Sequence, residues 1–176
     1  MNRLSLMGPA RALAIAALCV VPLAVLPAGC KLFRKTPLQS TVQTRDPRTA
    51  AQLVDGFYGV EAAAWRWTAK QFSVKLKVPA GAAQKGATLR LMLSIPPAVI
   101  EQSTTVTLSA ALAGTSIAPE TYSAPGQFTY QRDVAAGLLA ASDVTVNFQL
   151  DKAITPGGLD KRELGLVVTT ISLETK

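Results

Sequence analysis

FSVKLKV, residues 72–78, alternates apolar and polar side chains without a break. Phe72, Val74 and Leu76 fall on one face of an extended chain, whereas Ser73 and Lys75 fall on the other. An alternation with period two is typical of a β-strand that has one buried face and one face in water. This stretch therefore predicts a strand at the surface of a β-sheet protein.

The same alternation recurs along the rest of the chain, and segments rich in Gly and Pro separate the runs. The alternating segments are TLRLMLSI (88–95), TVTLSAAL (105–112), QFTYQRDV (127–134) and VTVNFQL (144–150). An early GFYGV segment, a short return over 116–118 and a final run bring the total to about eight strands. Strands with this spacing predict an all-β fold, an antiparallel β-sandwich of jelly-roll type.

Two segments depart from the simple alternation. VAAGLLAASD (134–143) predicts one short helix with Leu138 and Leu139 pointing inward. In the last run, RELGLVVTTISLE, the phase of Leu166 and Val168 differs from the phase of Ile171 and Leu173. A β-bulge near 169–170 would bring both phases onto the same face of one strand.

The basic charge is concentrated near the N-terminus. The whole chain has 18 Lys and Arg against 11 Asp and Glu, a net charge of +7. From Thr49 onward there are 11 basic and 10 acidic residues, which leaves +1. Because a nucleic-acid interface needs a basic stripe to neutralise phosphates, a nucleic-acid partner is not expected.

The residue types limit the chemistry of the folded part. The chain has no His, and its two cysteines, Cys19 and Cys30, both precede the predicted strands. A Ser-His-Asp or Cys-His arrangement is therefore impossible, and the usual zinc ligands are missing. Paired carboxylates could still hydrolyse a glycosidic bond, and the candidates are Asp133, Asp143, Asp151, Asp160 and Glu163. Most acids in a sandwich are loop caps or surface charges, so we expect no enzyme, no metal and no cofactor.

The N-terminus has the parts of an export signal: Arg3 and Arg11, an apolar stretch over 12–28, and a small-residue end. LPAGC, which ends at Cys30, resembles the lipobox of bacterial lipoproteins, although Pro27 stands where that family usually has Leu. The resemblance implies a signal peptide over 1–29 and a lipidated Cys30 that anchors the protein in the cell envelope. Lys31 after the cysteine favours the outer membrane, facing the periplasm. The alternatives are an ordinary cleaved signal peptide and an uncleaved anchor.

The composition changes after this signal. Residues 30–55 are polar, lack a clear period and contain Pro37 and Pro47. They predict a flexible tether, and the β-sandwich domain then spans 56–176.

GFYGVEAAAWRWTAKQF (56–72) contains both tryptophans, Trp65 and Trp67, on the same face of an extended segment. Large aromatic side chains usually fill a core, so burial of both rings is the first expectation. The alternative is a glycan-binding platform formed by Trp65, Trp67, Tyr58 and Arg66. An intermediate arrangement has one ring buried and the other partly exposed.

GFYGVE and WRWT, followed much later by DKRELGLVVTTISLE, resemble a jelly-roll or galactose-binding-like β-sandwich domain of bacterial envelope and polysaccharide-related proteins. The resemblance implies a non-catalytic binding module for a glycan or another envelope component. The alternative is a structural or assembly protein that docks an envelope protein through its sandwich surface. In either case we expect Arg162 to be structural, paired with a carboxylate such as Glu61.

Overall fold

The computed structural model describes residues 36–157 and 159–176. Within these ranges the chain forms nine strands and two short helices. The strands are β1 (Thr41–Gln43), β2 (Leu53–Glu61), β3 (Trp65–Lys77), β4 (Ala87–Ile95), β5 (Val106–Leu112), β6 (Thr115–Tyr122), β7 (Gly126–Val134), β8 (Asp143–Leu150) and β9 (Val167–Thr175). The helices are α1 (Ala82–Lys85) and α2 (Pro97–Ser103), and 3-10 turns lie at Ala50–Gln52 and Ala136–Leu138.

All strand pairs are antiparallel, in the order β6-β5-β8-β3-β9-β4-β7, with β1 beside β9 and β2 beside β3. The long strand β3 belongs to both halves: its segment 71–77 pairs with β8, and its start at 66–67 pairs with β9. We call the β2, β3, β8, β5 and β6 half the first layer, and the β9, β4, β7 and β1 half with the start of β3 the second layer. The protein is therefore an antiparallel β-sandwich, as the alternation predicts.

The two free edges nearly close the sandwich into a barrel. The hydroxyl of Tyr130 on β7 donates a hydrogen bond to the carbonyl oxygen of Ala118 on β6 at 2.8 Å. Arg132 donates to the carbonyl oxygens of Ala118 and Pro119, each at 2.8 Å. These side-chain contacts occupy carbonyl groups of the exposed edge of β6, which would otherwise be available to pair with another chain.

The core lies between the layers, where the predicted faces are buried. Phe72, Val74 and Leu76 of β3 are almost fully buried, and the rings of Phe72 and Phe148 stack at 4.9 Å. Tyr130 of the second layer meets Phe148 of the first edge to face at 6.4 Å. Full burial of one such side chain contributes about 1.5–3 kcal/mol, so this core holds the sandwich together without a disulfide.

Two predicted departures from the alternation, the bulge in the last strand and the short helix, are present in the structure. The bulge is confirmed, because Met92 pairs with Thr170 and Leu93 with Val168, which leaves Thr169 without a partner on β4. The predicted short helix within 134–143 is also confirmed: it is the 3-10 turn at Ala136–Leu138, where Leu138 is partly buried and the following Leu139 fully buried.

The folded region begins earlier than Gly56, so the predicted tether over 30–55 is wrong for the part that the structure describes. Val42 of β1 is fully buried and pairs with Ile171. The side-chain amide of Gln52 donates to the carbonyl oxygens of Gln39 at 2.9 Å and Lys75 at 2.7 Å. These partners are distant in sequence, which explains why the local pattern did not indicate structure here. The predicted signal peptide and Cys30 lie outside the described residues. No helix among the described residues is long and apolar enough to cross a membrane.

Candidate functional site

A groove of about 820 Å³ lies on the outer side of the second layer. The register explains its floor, because Trp67, Val167, Ser94 and Gln127 are consecutive partners across β3, β9, β4 and β7. Side chains of directly paired residues point to the same side of a sheet. The four strands therefore place one aromatic, one apolar and two polar side chains in a row along the floor.

Trp65 and Trp67 both line this groove, and both are partly exposed. They are two positions apart on β3, which places them on the same side, about 7 Å apart along the strand. Trp67 packs against the edge of the core, whereas Trp65 pairs with Glu61 at the end of the β2–β3 hairpin. The first expectation, that both rings fill the core, is therefore wrong, because the rings lie on the side of β3 opposite to the buried Phe72 and Val74.

The walls of the groove are apolar and stiff. Met92 of β4, half exposed, is the large apolar side chain of these walls. Three prolines complete the lining at the strand ends: Pro96, Pro97 and Pro125. Because proline fixes its own backbone angle, this part of the groove is already formed before any ligand enters.

Polar groups lie among the apolar ones. Ser94 donates its hydroxyl hydrogen to the carbonyl oxygen of Gly126 at 3.2 Å, which leaves its oxygen free to accept from a ligand. Among the described residues, the side chains of Gln127 and Thr129 have no hydrogen-bond partner, and both are exposed. The groove thus offers hydroxyl and amide groups for hydrogen bonds beside the indole rings.

Two residues of the predicted platform, Tyr58 and Arg66, do not line the groove. Arg66 lies between the tryptophans on β3, so its side chain leaves the opposite face and donates to the carbonyl oxygens of Thr44 and Tyr58, each at 2.7 Å. The hydroxyl of Tyr58 donates to the carbonyl oxygen of Glu163 at 2.8 Å. Bulges between Asp55 and Val60 shift the register of β2, and single-strand alternation could not reveal that shift.

The predicted pair between Arg162 and Glu61 is confirmed, with 2.7 Å between Nη1 and Oε1. The same guanidinium donates to both carboxylate oxygens of Asp160 and lies 5.2 Å from the ring centroid of Tyr58. The hydrogen bonds from Arg162 hold the pKa of Asp160 at about 2, well below its usual value. This cluster fixes the connection before β9 to the hairpin that carries Trp65.

The turn between β2 and β3 is strained. Ala62 and Ala63 have φ of 47° and 53°, in the left-handed region that favours glycine. The turn is closed by a hydrogen bond from the Ala64 amide to the Glu61 carbonyl oxygen at 3.0 Å. Turns with these backbone angles usually contain Asn or Gly. The segment EAAAW (61–65) contains neither, so its sequence does not predict a turn.

The five acidic residues named as catalytic candidates each have a structural partner. Asp133 pairs with Lys176 and Asp143 with Lys75. Asp151 accepts from the Thr107 amide and Glu163 from the Lys70 amide. None of these residues lines the groove. Within the described residues, no cluster of three or more His, Cys, Asp or Glu side chains is placed to hold a metal ion.

No protein family matches the chain, and no curated protein is similar to it in sequence. Some solved structures have a backbone that is similar to part of this one. A carbohydrate-binding module CBM36 in complex with calcium and xylotriose is 9% identical over 76% of this chain and 98% of its own, with a TM-score of 0.42. A CBM4 structure is 12% identical over 77% and 85%, with a TM-score of 0.35. A family GH115 4-O-methyl-alpha-glucuronidase is 10% identical over 80% of this chain but only 18% of its own, with a TM-score of 0.45. Sequence identities and TM-scores this low say nothing about the ligand or the activity of this protein.

Proposed function

We propose that the protein is a non-catalytic binding module of a bacterial cell envelope, anchored by lipid at Cys30, and that it binds glycan in the Trp65–Trp67 groove. The observation that supports the glycan site is the position of the two indole rings. Both tryptophans of the chain are partly exposed on one side of a single groove that also carries free hydroxyl and amide groups.

The chemistry of the groove suits a neutral sugar chain. A sugar ring has apolar C–H faces, which stack on indole, and a rim of hydroxyls, which hydrogen-bond to groups such as Gln127 and Thr129. The volume of about 820 Å³ lies within the range of small-ligand sites. Glu61 is the acidic residue in the lining, and its charge is already paired with Arg162. The groove therefore offers no unpaired charge to favour an anionic or cationic ligand.

Co-sedimentation of the full-length protein, purified in detergent, with isolated sacculi and insoluble polysaccharides tests this proposal. Trp65→Ala is the main variant, because Trp67 also supports the core and its loss could reduce stability. We expect Trp65→Ala to weaken binding at least about tenfold, a free-energy change of about 1.4 kcal/mol. Arg90→Ala, on the outer side of the same layer but outside the groove, is the matched control. Wild-type affinity in Trp65→Ala would contradict the proposal.

The lipid anchor is proposed from the sequence. In the sequence, ten residues, 31–40, separate Cys30 from the start of β1. Several acyl chains at one cysteine would give stable membrane attachment. Metabolic labelling with a radioactive fatty acid should mark the wild-type protein and not Cys30→Ala. A Cys30→Ala protein that is still labelled and membrane-bound would contradict the anchor.

A second function is favoured by the walls of the groove. Met92 and the three prolines would pack well against apolar side chains of an envelope protein. In that case the module serves in assembly rather than in glycan binding. The two functions separate in co-sedimentation: glycan binding persists with protein-free sacculi, whereas docking requires a protein fraction and is destroyed by prior protease treatment.

A further inference from the structure

A second cavity, of about 570 Å³, lies on the outer side of the first layer, the opposite side of the sandwich from the groove. We call it the polar cleft. It runs across β2, β3, β8, β5 and β6, and its outward-facing side chains are Asp55, Gln71, Ser73, Ser109, Ala111, Ser116, Asn147 and Gln149. Most of these side chains are short or carry an amide or a hydroxyl.

The strand register arranges these side chains in two rows. In one row Asp55, Ser73, Asn147, Ala111 and Ser116 are successive partners on five neighbouring strands. At about 4.8 Å between strands this row is about 19 Å long. In the adjacent row Gln71, Gln149 and Ser109 are partners on three strands. The cleft therefore presents a two-row lattice of polar groups along an extended path.

The amides of the cleft are available to a ligand. Gln71, Asn147 and Gln149 are exposed, and among the described residues their side chains make no hydrogen bond. Each carries two donors and an acceptor. The small side chains of Ala111 and Ser116 leave space for a ligand next to these amides. Asp55 is the one charged residue in the lining, and Lys75, just outside the cleft, pairs with Asp143 at 2.9 Å.

The irregular course of β2 places an acid at one end of the cleft. The register of β2 shifts on both sides of Asp55. The next residue, Gly56, has φ of 71°, and a Cβ there would lie 2.0 Å from the carbonyl oxygen of Gln71. Only glycine fits this close approach, and the bulged strand directs the exposed Asp55 carboxylate to the rim. Two neighbouring hydroxyls of one ligand could donate to that carboxylate.

We propose that the polar cleft is a second ligand site, for a neutral oligosaccharide held along its hydroxyl edge. The ligand hydroxyls exchange hydrogen bonds with the amides of Gln71, Asn147 and Gln149, and Asp55 accepts at one end. This site does not rest on the function proposed for the groove. Because the cleft and the groove lie on opposite layers, a protein with both sites occupied cross-links two glycan strands.

NMR titration of the full-length ¹⁵N-labelled protein in detergent micelles separates the two sites. The probes are neutral oligosaccharides: a glucan, a xylan, a galactan and a mannan. We expect one of them to shift the side-chain amide signals of Gln71, Asn147 and Gln149, while the signal of Gln102 on helix α2, which does not line the cleft, stays in place. Indole shifts report the groove separately. Amide shifts without indole shifts would support the cleft and contradict the groove; indole shifts alone would overturn the cleft.

The double variant Asn147→Ala/Gln149→Ala should weaken the amide-detected binding at least tenfold and leave the indole-detected binding unchanged. Thr145→Ala, exposed on the same side of β8 but outside the cleft, is the matched control and should bind as the wild type does. Cleft amides that stay in place at up to about 10 mM of every probe would overturn the proposal, since this concentration would nearly fill even a site of about 1 mM affinity.

Discussion

Nη1 of Arg162 donates a hydrogen bond to Oε1 of Glu61 at 2.7 Å, between residues 101 positions apart in the chain. Glu61 ends the strand that leads into the strained turn, and Trp65 follows that turn. Arg162 belongs to the long connection before β9. The pair thus joins two distant segments beside the groove and supports the position of Trp65.

The energy of this pair is modest because solvent screens it. The side chains are 34% and 39% exposed. A double-mutant cycle with Glu61→Gln and Arg162→Met should give a coupling free energy of at most about 1 kcal/mol from urea unfolding. Arg162→Met alone should cost more than Glu61→Gln, because it also removes the contacts with Asp160 and Tyr58. Equal losses in the two single variants would contradict this arrangement.

Acid should weaken the same cluster at a defined pH. The pKa of Asp160 is lowered from 3.8 to about 2, chiefly by the side-chain hydrogen bonds from Arg162. A lowered pKa means that the carboxylate stabilises the folded state fully above about pH 4 and loses this effect as the pH falls towards 2. The urea midpoint of Asp160→Asn should therefore be lower than that of the wild type near neutral pH, and the two should converge at about pH 2. A constant difference across this range would contradict the assignment.

Two buried tyrosines should respond oppositely to removal of the hydroxyl. The hydroxyl of Tyr122 is buried and has no hydrogen-bond partner among the residues that the structure describes. Tyr122→Phe should therefore leave the free energy of unfolding unchanged or raise it by up to about 1 kcal/mol. Tyr130→Phe is the matched comparison, because the Tyr130 hydroxyl bridges β7 to Ala118 of β6. It should lower the free energy of unfolding by about 1 kcal/mol. Equal effects in urea unfolding would contradict the contacts.

The turn before Trp65 stores strain that one substitution can release. Ala63→Gly at φ of 53° should raise the free energy of unfolding by about 1 kcal/mol, since glycine adopts this conformation without a steric penalty. Ala64→Gly, one position later and outside the left-handed region, should lower it by about 0.5–1 kcal/mol. Thermal or urea unfolding of the pair checks the sign. Destabilisation by Ala63→Gly would show that the turn is not strained.

Much of the fold is predictable because its signals are local. The alternation of Phe72, Val74 and Leu76 is enough to indicate a strand and its buried face. The change of phase between Val168 and Ile171 is enough to locate the bulge. Strand β1 is different, because it has only three residues and forms by pairing with β9, which is distant in sequence. Three residues are too few for an alternation that would predict a strand. Helix α2 was also missed, because a Pro-Pro pair usually indicates a turn.

The sites are less predictable because they depend on register. The shared side of Trp65 and Trp67 follows from their spacing alone. Whether Tyr58 and Arg66 join them depends on the bulges of β2 and on which side of β3 faces outward. The polar cleft depends even more on pairing, since Asp55, Asn147 and Ser116 meet only through the alignment of five strands.

Titration of the intrinsic tryptophan fluorescence tests the central claim most directly. Both tryptophans of the chain line the groove, so indole emission and its quenching by acrylamide report this site without interference. With the full-length protein in detergent and soluble neutral glycans, we predict a saturable change in emission and protection from acrylamide, both lost in Trp65→Ala. Emission and quenching that stay unchanged with every glycan would contradict glycan binding in the groove and favour the docking of a protein partner.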